Sequence, residues 1–488
     1  MQRIGGQARL WAVAPAMMAL GACTTPQVDV VTPAIAVPVE WAQRDPAPVS
    51  TDLTQYWDLL GDPLLAEFVE QAIIENRDLA VGAARLDQAR SSLVQARAGY
   101  LPGVSASGGI NRDVGDFARN GVQFSLGADA TWEADLFGQI SGSVRAAEAD
   151  LASSGYSLAD LQRLIVGQVA IATINARATA QQLEIARSTL AYQEDNLQIA
   201  HWRNQAGLVS SLDVEQARTQ RAQTAASIPL LESSLTATAN AISTLIGEPP
   251  GRVLDAIIET EPAPVPDPQM LMGFEAPAEV LQRRPDVRAA EASLVASSAR
   301  IGVARAQLLP LVRLSGSIGT GQANLGSLFD ILSGSLFAGV SQLIFDGGRT
   351  RAQIDNAEAG ARASLASWEQ TILGALEDVE SAAVDQRTAD ERVDINLEGL
   401  DAASNSALLA RSQYQAGLTD FRTLLTAENQ LLSARNSLVN AQADRATAFV
   451  RLTQALGGGW AGADYNFPLR DAATSPSTAD SQADRDSE

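Results

Sequence analysis

Two long segments of the chain carry an apolar residue at every seventh position, which is the spacing that packs helices side by side in coiled coils. They run from about 139 to 205 and from about 349 to 415. At 1.5 Å per residue, each helix would span roughly 100 Å. A glycine turn, at Gly207 or Gly417, then leads to a return helix ending near Gly247 or Gly457. The repeating apolar positions are Leu183, Leu190 and Leu197, then Val393, Leu400, Ala407 and Tyr414, then Leu424, Leu431 and Leu438.

A second pattern, strict alternation of apolar and polar residues, precedes each long helix. It covers residues 122–132 and, less completely, 104–110, 312–318 and 336–340. Alternation over about eleven residues is typical of a tilted strand that spans a membrane. The alternative is a half-buried hairpin of a soluble domain, but no other segment offers these strands a partner sheet. The pattern therefore predicts four spanning strands.

The chain contains an internal duplication. The segment Ala96-Arg97-Ala98 recurs 208 residues later as Ala304-Arg305-Ala306, and Gln205-Ala206-Gly207-Leu208 recurs 210 residues later as Gln415-Ala416-Gly417-Leu418. So constant an offset indicates two tandem copies of one large unit. Each copy predicts a helix (63–100 or 277–308) that ends before a proline, two strands, a long helix and a return helix.

Composition divides the chain into six predicted segments. A signal peptide at 1–22 precedes a Pro-, Val- and Thr-rich tether at 23–54. The first repeat covers 55–248, a Pro-rich linker covers 249–276, and the second repeat covers 277–465. Residues 466–488 are acidic and Ser-rich, which predicts a disordered tail.

The single cysteine, Cys23, follows a short apolar stretch and the small residues Gly21 and Ala22. That stretch, residues 10–19, is too short to span a membrane. The arrangement resembles a bacterial lipobox, in which the cysteine is acylated and becomes the first residue. Thr24 follows, where an aspartate would resemble an inner-membrane retention signal. The alternative is an ordinary secretory signal with an incidental cysteine.

The formal net charge of −22 argues against a nucleic-acid partner, because phosphates require a basic surface. The chain has one histidine, His201, so neither a His/Cys zinc cluster nor a Ser–His–Asp arrangement is supported. We therefore expect no catalytic residues, no metal and no cofactor.

Four strands cannot close a barrel, since small barrels need about eight, and lipid tolerates no open sheet edge. Spanning strands therefore require this chain to oligomerise. The duplication would then give each subunit two equivalent parts of a ring.

At this point the chain resembles the TolC-like outer membrane factors, and within them the lipoprotein branch that serves efflux pumps. The resemblance covers about 55–465 and is carried by the duplicated unit, the two helix turns, and the motifs Leu136-Phe137-Gly138, Phe345-Asp346-Gly347-Gly348-Arg349 and Ala455-Leu456-Gly457-Gly458-Gly459-Trp460. It implies an α+β membrane protein, a homotrimer whose twelve strands form one outer-membrane barrel above a coiled-coil helical barrel in the periplasm. The implied partners are outer-membrane lipid, a periplasmic adaptor and an inner-membrane pump.

The resemblance also implies a gate at the inner end of the helices. The family usually links the two turns by an aspartate–tyrosine hydrogen bond, and the matching residues are Asp213 and Tyr414. Asp420 and Arg422 lie nearby, while Thr423 and Thr426 occupy positions where the family commonly carries an acidic ring. Gly207 and Gly417 would lie near the adaptor contact.

The function that these features predict is an exit channel that passes drugs or other small molecules out of the cell. The competing hypothesis is a lipid-anchored periplasmic coiled-coil structural or adaptor protein. Only a channel exposes the loops near Asn120 and Asn324 to labelling from outside.

Overall fold

The computed structural model describes residues 38, 41–42, 52–112, 114, 122–259, 264–268 and 277–461. The predicted signal peptide, Cys23 and the acidic tail lie outside these residues. The first repeat begins with a short 3-10 helix and contains four α-helices and two strands. They are the 3-10 helix Tyr56–Leu60, α1 Pro63–Glu75, α2 Arg77–Ala98, β1 Gly103–Asn111, β2 Gln123–Ala134, α3 Gln139–Gln205 and α4 Ser211–Leu245.

A short helix, α5 (Arg252–Glu259), lies between the repeats. The second repeat follows the same order as the first. It contains α6 Pro277–Arg283, α7 Pro285–Ala306, β3 Leu311–Gln322, a 3-10 turn Leu325–Ser327, β4 Ser333–Ser341, α8 Arg349–Gln415 and α9 Phe421–Ala455. The predicted long helices are confirmed: α3 and α8 each have 67 residues, and each leads through its glycine turn into a return helix of 35.

The predicted single helices at 63–100 and 277–308 are wrong, because each is broken into two. In the first repeat the break is at Asn76, whose backbone is extended and whose side chain accepts hydrogen bonds from the N–H groups of Asp78 and Leu79. In the second repeat Arg284 is extended because it precedes Pro285, and a residue before proline avoids the helical region.

The residues at the two breaks also hold the ends of the return helices. Asn76 Nδ2 donates to the carbonyl oxygen of Leu245 at 2.7 Å, and Arg284 Nη1 donates to that of Ala455 at 3.0 Å. These carbonyls belong to the last turns of α4 and α9, where no intrahelical donor remains. The two repeats thus fill equivalent positions with different side chains.

Segments predicted as linker and tether contribute to the packed interior. In α5, within the Pro-rich linker, Val253 and Ile257 are buried in the main core. Trp41 and Leu53, within the predicted tether, are buried against the second repeat, where Val280 and Leu452 belong to the same cluster. The apolar spacing of residues 253–258 indicates this helix, but the prolines on both sides of it favour an extended linker.

The main hydrophobic core lies around the middle of α3, where the two repeats meet. It joins α1, the middle of α3, the end of α4, α5 and the end of α9, around Phe68, Val166, Ile242 and Phe449. Helix α3 crosses α9 closely at Gly167, where any Cβ would lie 1.8 Å from Nε2 of Gln454. That amide donates to the carbonyl oxygen of Arg163 at 2.7 Å. A side chain at position 167 would therefore displace the Gln454 amide from this hydrogen bond.

Replacing Asp62 with alanine will strongly destabilise the subunit. Asp62 caps α1 and forms a two-point ion pair with Arg177, with N–O distances of 2.9 and 3.1 Å and side-chain exposures of 7% and 3%. Removing one partner strands a buried charge, at a cost of about 3–5 kcal/mol. We expect a lower guanidinium midpoint for the loss of the helical circular dichroism signal in detergent.

The control is Asp87→Ala, which breaks an exposed pair with Arg90. Exposed pairs contribute about 1 kcal/mol or less, so this midpoint should stay near that of the wild type. Equal midpoints for the two variants would contradict the importance of the buried pair.

Candidate functional site

The two glycine turns lie at one end of the helical hairpins, far from the sheet, and have the same geometry. Gly207 and Gly417 have φ angles of 72° and 71°, in the left-handed region that favours glycine. The N–H groups of Leu208 and Leu418 donate to carbonyls five residues earlier, each at 2.8 Å. This is the Schellman arrangement that satisfies the last carbonyls of a helix. The turns therefore end α3 and α8 identically; we refer to this end as the helical tip.

The return helices begin with matching caps. In α4, Ser210 Oγ accepts the Asp213 N–H at 3.3 Å and the Asp213 carboxylate accepts the Ser210 N–H at 3.1 Å, which forms a capping box. In α9, Asp420 Oδ1 accepts the Thr423 N–H at 2.8 Å and the Thr423 hydroxyl at 2.6 Å. The hydrogen bonds from the side chain and backbone of Thr423 lower the pKa of Asp420 below its ordinary value. Both predicted gate aspartates therefore stabilise the first turn of a helix.

Tyr414, the predicted partner of Asp213, is buried at the end of α8 with a relative exposure of 7%. Its hydroxyl is buried and has no hydrogen-bond partner among the described residues. The carboxylate of Asp213 is directed instead to the backbone of its own helix. Within one subunit, the structure does not join Asp213 to Tyr414 by a hydrogen bond.

Two side chains contact the ring of Tyr414. Phe421, the first residue of α9, packs with a distance of 5.5 Å between ring centroids. On α3, the guanidinium carbon of Arg203 lies 4.5 Å from the centroid of the Tyr414 ring, and Nη1 donates to the Tyr414 carbonyl oxygen at 3.4 Å. No local pattern in the sequence indicates this role for Arg203, because only folding brings residues 203 and 414 together.

The tip has a small core of its own and an exposed outer surface. Val214, Ala407, Leu424 and other buried residues around Tyr414 form a cluster separate from the main core. Arg422 is exposed on α9. Several large apolar side chains at the tip are also exposed, which is typical of a surface that contacts a partner. They are Trp202 (61%), Leu208 (69%), Leu212 (64%) and Leu418 (79%).

At the opposite end, the four strands form one antiparallel sheet in the order β1-β2-β3-β4. Its register places apolar residues on one face: Val104, Ala130, Gly316 and Leu336 lie side by side, and Leu126, Leu314 and Val340 share their face. The other face carries Ser105, Asp129, Ser317 and Ser335 in one row, with a Glu133–Arg313 ion pair. The sheet therefore has one largely apolar face and one largely polar face, with Thr320 an exception on the first and Phe337 an exception on the second. The described residues cover neither face.

The outer strands of this sheet, β1 and β4, each pair with only one neighbour in the described chain. Exposed aromatic and aliphatic side chains flank the apolar face where the sheet meets the helices, including Tyr100, Leu101 and Phe345. Trp132, at the same end, donates from Nε1 to the carbonyl oxygen of Tyr100 at 2.9 Å. Aromatic residues at the border of an apolar band are typical of membrane barrels.

Among the described residues, no group of three or more His, Cys, Asp or Glu side chains is placed to hold a metal ion. The described residues thus form two distinct surfaces at opposite ends of the long helices. One is a sheet with an apolar and a polar face, and the other is the helical tip with its two turns.

Known proteins share this arrangement. A family model described as "Outer membrane efflux protein" matches residues 68–248 and 276–458. The pyoverdine export outer membrane protein OpmQ of Pseudomonas aeruginosa is 31% identical, over 91% of this chain and 96% of its own. The toluene efflux pump outer membrane protein TtgI of Pseudomonas putida is 31% identical, over 91% and 97%. The solved outer-membrane channel OprN has a TM-score of 0.81 and 32% identity, over 88% of this chain and 98% of its own.

Replacing Asp420 with alanine will loosen the first turn of α9. Without its N-cap the first turn opens more often, so the amides near Thr423 should exchange roughly fivefold faster. Hydrogen–deuterium exchange of peptides that cover 421–426 measures this effect. Because the folded pKa is lowered, the contribution of the ionised carboxylate is complete above the unfolded value near 4 and is lost as pH falls through the folded value.

Asp420→Asn is the matched control, since asparagine caps as well as aspartate and should keep the exchange slow. Ser210→Ala should produce the same loosening in α4 alone. Unchanged exchange in Asp420→Ala would show that the capping contact contributes nothing to the tip.

Proposed function

Because this chain belongs to the outer membrane efflux protein family, we propose that it forms a closed homotrimeric exit channel whose helical tip is the gated end. The protein is an outer-membrane efflux channel, and it extends into the periplasm. Its family consists of transport proteins and not of enzymes. The competing hypothesis, a lipid-anchored periplasmic structural or adaptor protein, is therefore without support. The proposed trimer rests on the sheet, which has one apolar face, one polar face and two edge strands that each pair on one side only in the described part of the chain.

The sheet supports closure in one particular way. Its apolar face, with Leu126, Ile318 and Leu336, would face lipid, and its polar face, with Asp129 and Ser317, would line the lumen. Backbone groups at the free edges of β1 and β4 cannot remain unpaired in lipid. Since β1 and β4 are antiparallel, β4 of one subunit would pair with β1 of the next. Three subunits would supply twelve strands, within the range of membrane barrels.

The helical tip supports a gate. Tyr414 packs the turns together, and Asp213 and Asp420 stabilise the first turns of the return helices. We assign all three to the closed state, together with the exposed Arg422, whose charge would act on ions that enter the channel. Separation of the two turns would open the periplasmic end of the helical barrel.

The exposed apolar residues beside Gly207 and Gly417 support a docking surface for a periplasmic adaptor. Leu208 and Leu418 follow the two glycines and occupy equivalent places in the two repeats. An adaptor that contacts both turns would bear directly on the gate, and an inner-membrane pump would deliver the substrate. The relatives are named for cargoes as different as pyoverdine and toluene, which supports selection of small organic molecules upstream of this channel.

The sequence at Cys23 supports a lipid anchor at the start of the mature chain, in the outer membrane. An acyl anchor beside the barrel would hold the first residues at the membrane surface. Trp41 and Leu53 are buried against the helical body.

Cysteines at two adjacent positions of β2 will differ in their reaction with a membrane-impermeant maleimide. Ser125 lies on the polar face and Leu126 on the apolar face, so each variant is the other's control. In reconstituted protein, Ser125→Cys should be labelled through the water-filled lumen, and Leu126→Cys should be protected by lipid. Mild crosslinking of the same samples should produce no species larger than three linked chains.

Protection at 125 with labelling at 126 would invert the proposed orientation of the sheet. Equal labelling at both positions, with single chains only, would contradict membrane insertion and closure together.

Cys23→Ser will abolish acylation. Intact-mass analysis of the wild type should give a mature chain that begins at Cys23 with added acyl mass, and the variant should lack that mass. A wild-type chain that begins elsewhere, or that carries no lipid, would refute the anchor but leave the channel unaffected.

A further inference from the structure

We propose that Arg203 is a positioning residue of the closed tip, and that its stacking on the ring of Tyr414, and not the tyrosine hydroxyl, holds the two turns of each subunit together. This inference rests on the proposed gate. It identifies a contact between the repeats that the aspartate–tyrosine hydrogen bond expected from the sequence does not include.

The contact between Arg203 and Tyr414 has two parts. The guanidinium carbon is 4.5 Å from the ring centroid, within the range of about 6 Å for cation–π attraction, and Nη1 lies 3.4 Å from the Tyr414 carbonyl oxygen. Arg203 is half-buried, and it forms no salt bridge within the described part of the chain. Its charge is therefore available to the aromatic ring and to the end of α8, where exposed carbonyls attract cations.

The surroundings of Tyr414 favour the ring over the hydroxyl as the holding group. The ring packs between Arg203 and Phe421, while the buried hydroxyl has no partner among the described residues. Asp213, whose carboxylate could have accepted from this hydroxyl, closes its own capping box. The position of Tyr414 is thus determined by contacts that phenylalanine would retain.

The contact occurs once in each subunit, although the repeats are alike. At the offset of 210, Gln413 corresponds to Arg203 and Asn204 corresponds to Tyr414. Asn204 donates to the carbonyl oxygen of Val209 at 3.0 Å, within its own turn. Neither Gln413 nor Asn204 can form a cation–π pair. The asymmetric stack therefore joins the first repeat to the second at the end where they must separate.

The other ion pairs near the tip lie farther along the helices and stay within a single repeat. Arg221 pairs with Glu194 across α3 and α4, and Arg411 pairs with Glu428 across α8 and α9. Both ion pairs would persist if the two hairpins moved apart as rigid units. Farther from the turns, two contacts do join the repeats and would break as well: Arg411 lies 5.3 Å from the centroid of the Tyr192 ring, and Asn429 donates to Gln220 at 3.0 Å. The Arg203–Tyr414 stack would have to break, which makes it suited to bias the closed state.

The test compares the open probability of single channels in planar bilayers, using the full-length protein. We expect Arg203→Gln and Tyr414→Leu each to raise it by about tenfold, since three stacks of ordinary cation–π strength act together in a trimer. The double variant should gain no more than either single change. Tyr414→Phe should behave as the wild type, and Arg203→Lys should fall between wild type and Arg203→Gln, because lysine keeps the charge but not the planar guanidinium.

Arg218→Gln is the control, since Arg218 is an exposed arginine on α4 near the same end, 72% exposed, and should leave the open probability unchanged. The inference would be overturned if Tyr414→Phe raised the open probability as much as Tyr414→Leu while Arg203→Gln left it unchanged. That result would assign the closing contact to the tyrosine hydroxyl and leave the proposed gate valid. Additive effects of Arg203→Gln and Tyr414→Leu would also overturn it. Failure of the wild type to form pores would instead overturn the proposed channel.

Discussion

Backbone N–H and C=O groups inside lipid must be hydrogen-bonded, and the four-stranded sheet of this subunit leaves two edges that cannot meet this demand alone. None of the residues that the structure describes covers the apolar face of the sheet, and its polar face needs water. Both requirements are met together if the sheet curves into a shared barrel. The long helices follow from this, because each strand pair leads directly into one of them and carries the ring into the periplasm.

Duplication explains how a single chain contributes equivalent parts to such a ring, and the structure shows how the copies diverged. Different side chains perform the same structural role in the two copies. Asn76 in the first repeat and Arg284 in the second each donate a hydrogen bond to the end of the return helix in their own repeat. Ser210 and Asp420 both cap return helices. The divergence at Arg203 and Tyr414 differs from these, since it creates a contact between the copies.

The distribution of buried residues divides the subunit into a firm middle and a weaker tip. The main core joins both repeats through α3, α5 and α9, with the close crossing at Gly167 and the buried Asp62–Arg177 pair. The cluster around Tyr414 is small and built largely from alanine, valine and leucine. Segments with few buried contacts open at lower free energy than the core. Movement that begins at the turns can therefore leave the barrel and the middle of the helices undisturbed.

Local patterns in the sequence determined the long helices, the four strands, the glycine turns and the duplication. These depend on the periods of 3.5 and 2 residues and on glycine's access to positive φ, which are properties of neighbouring residues. Tertiary structure decided what lies side by side. It placed α5 and Trp41 against the body, left the Tyr414 hydroxyl without a hydrogen-bond partner among the described residues, and brought Arg203 to a ring 211 residues away. Such contacts depend on the relative placement of whole helices, which no local period encodes.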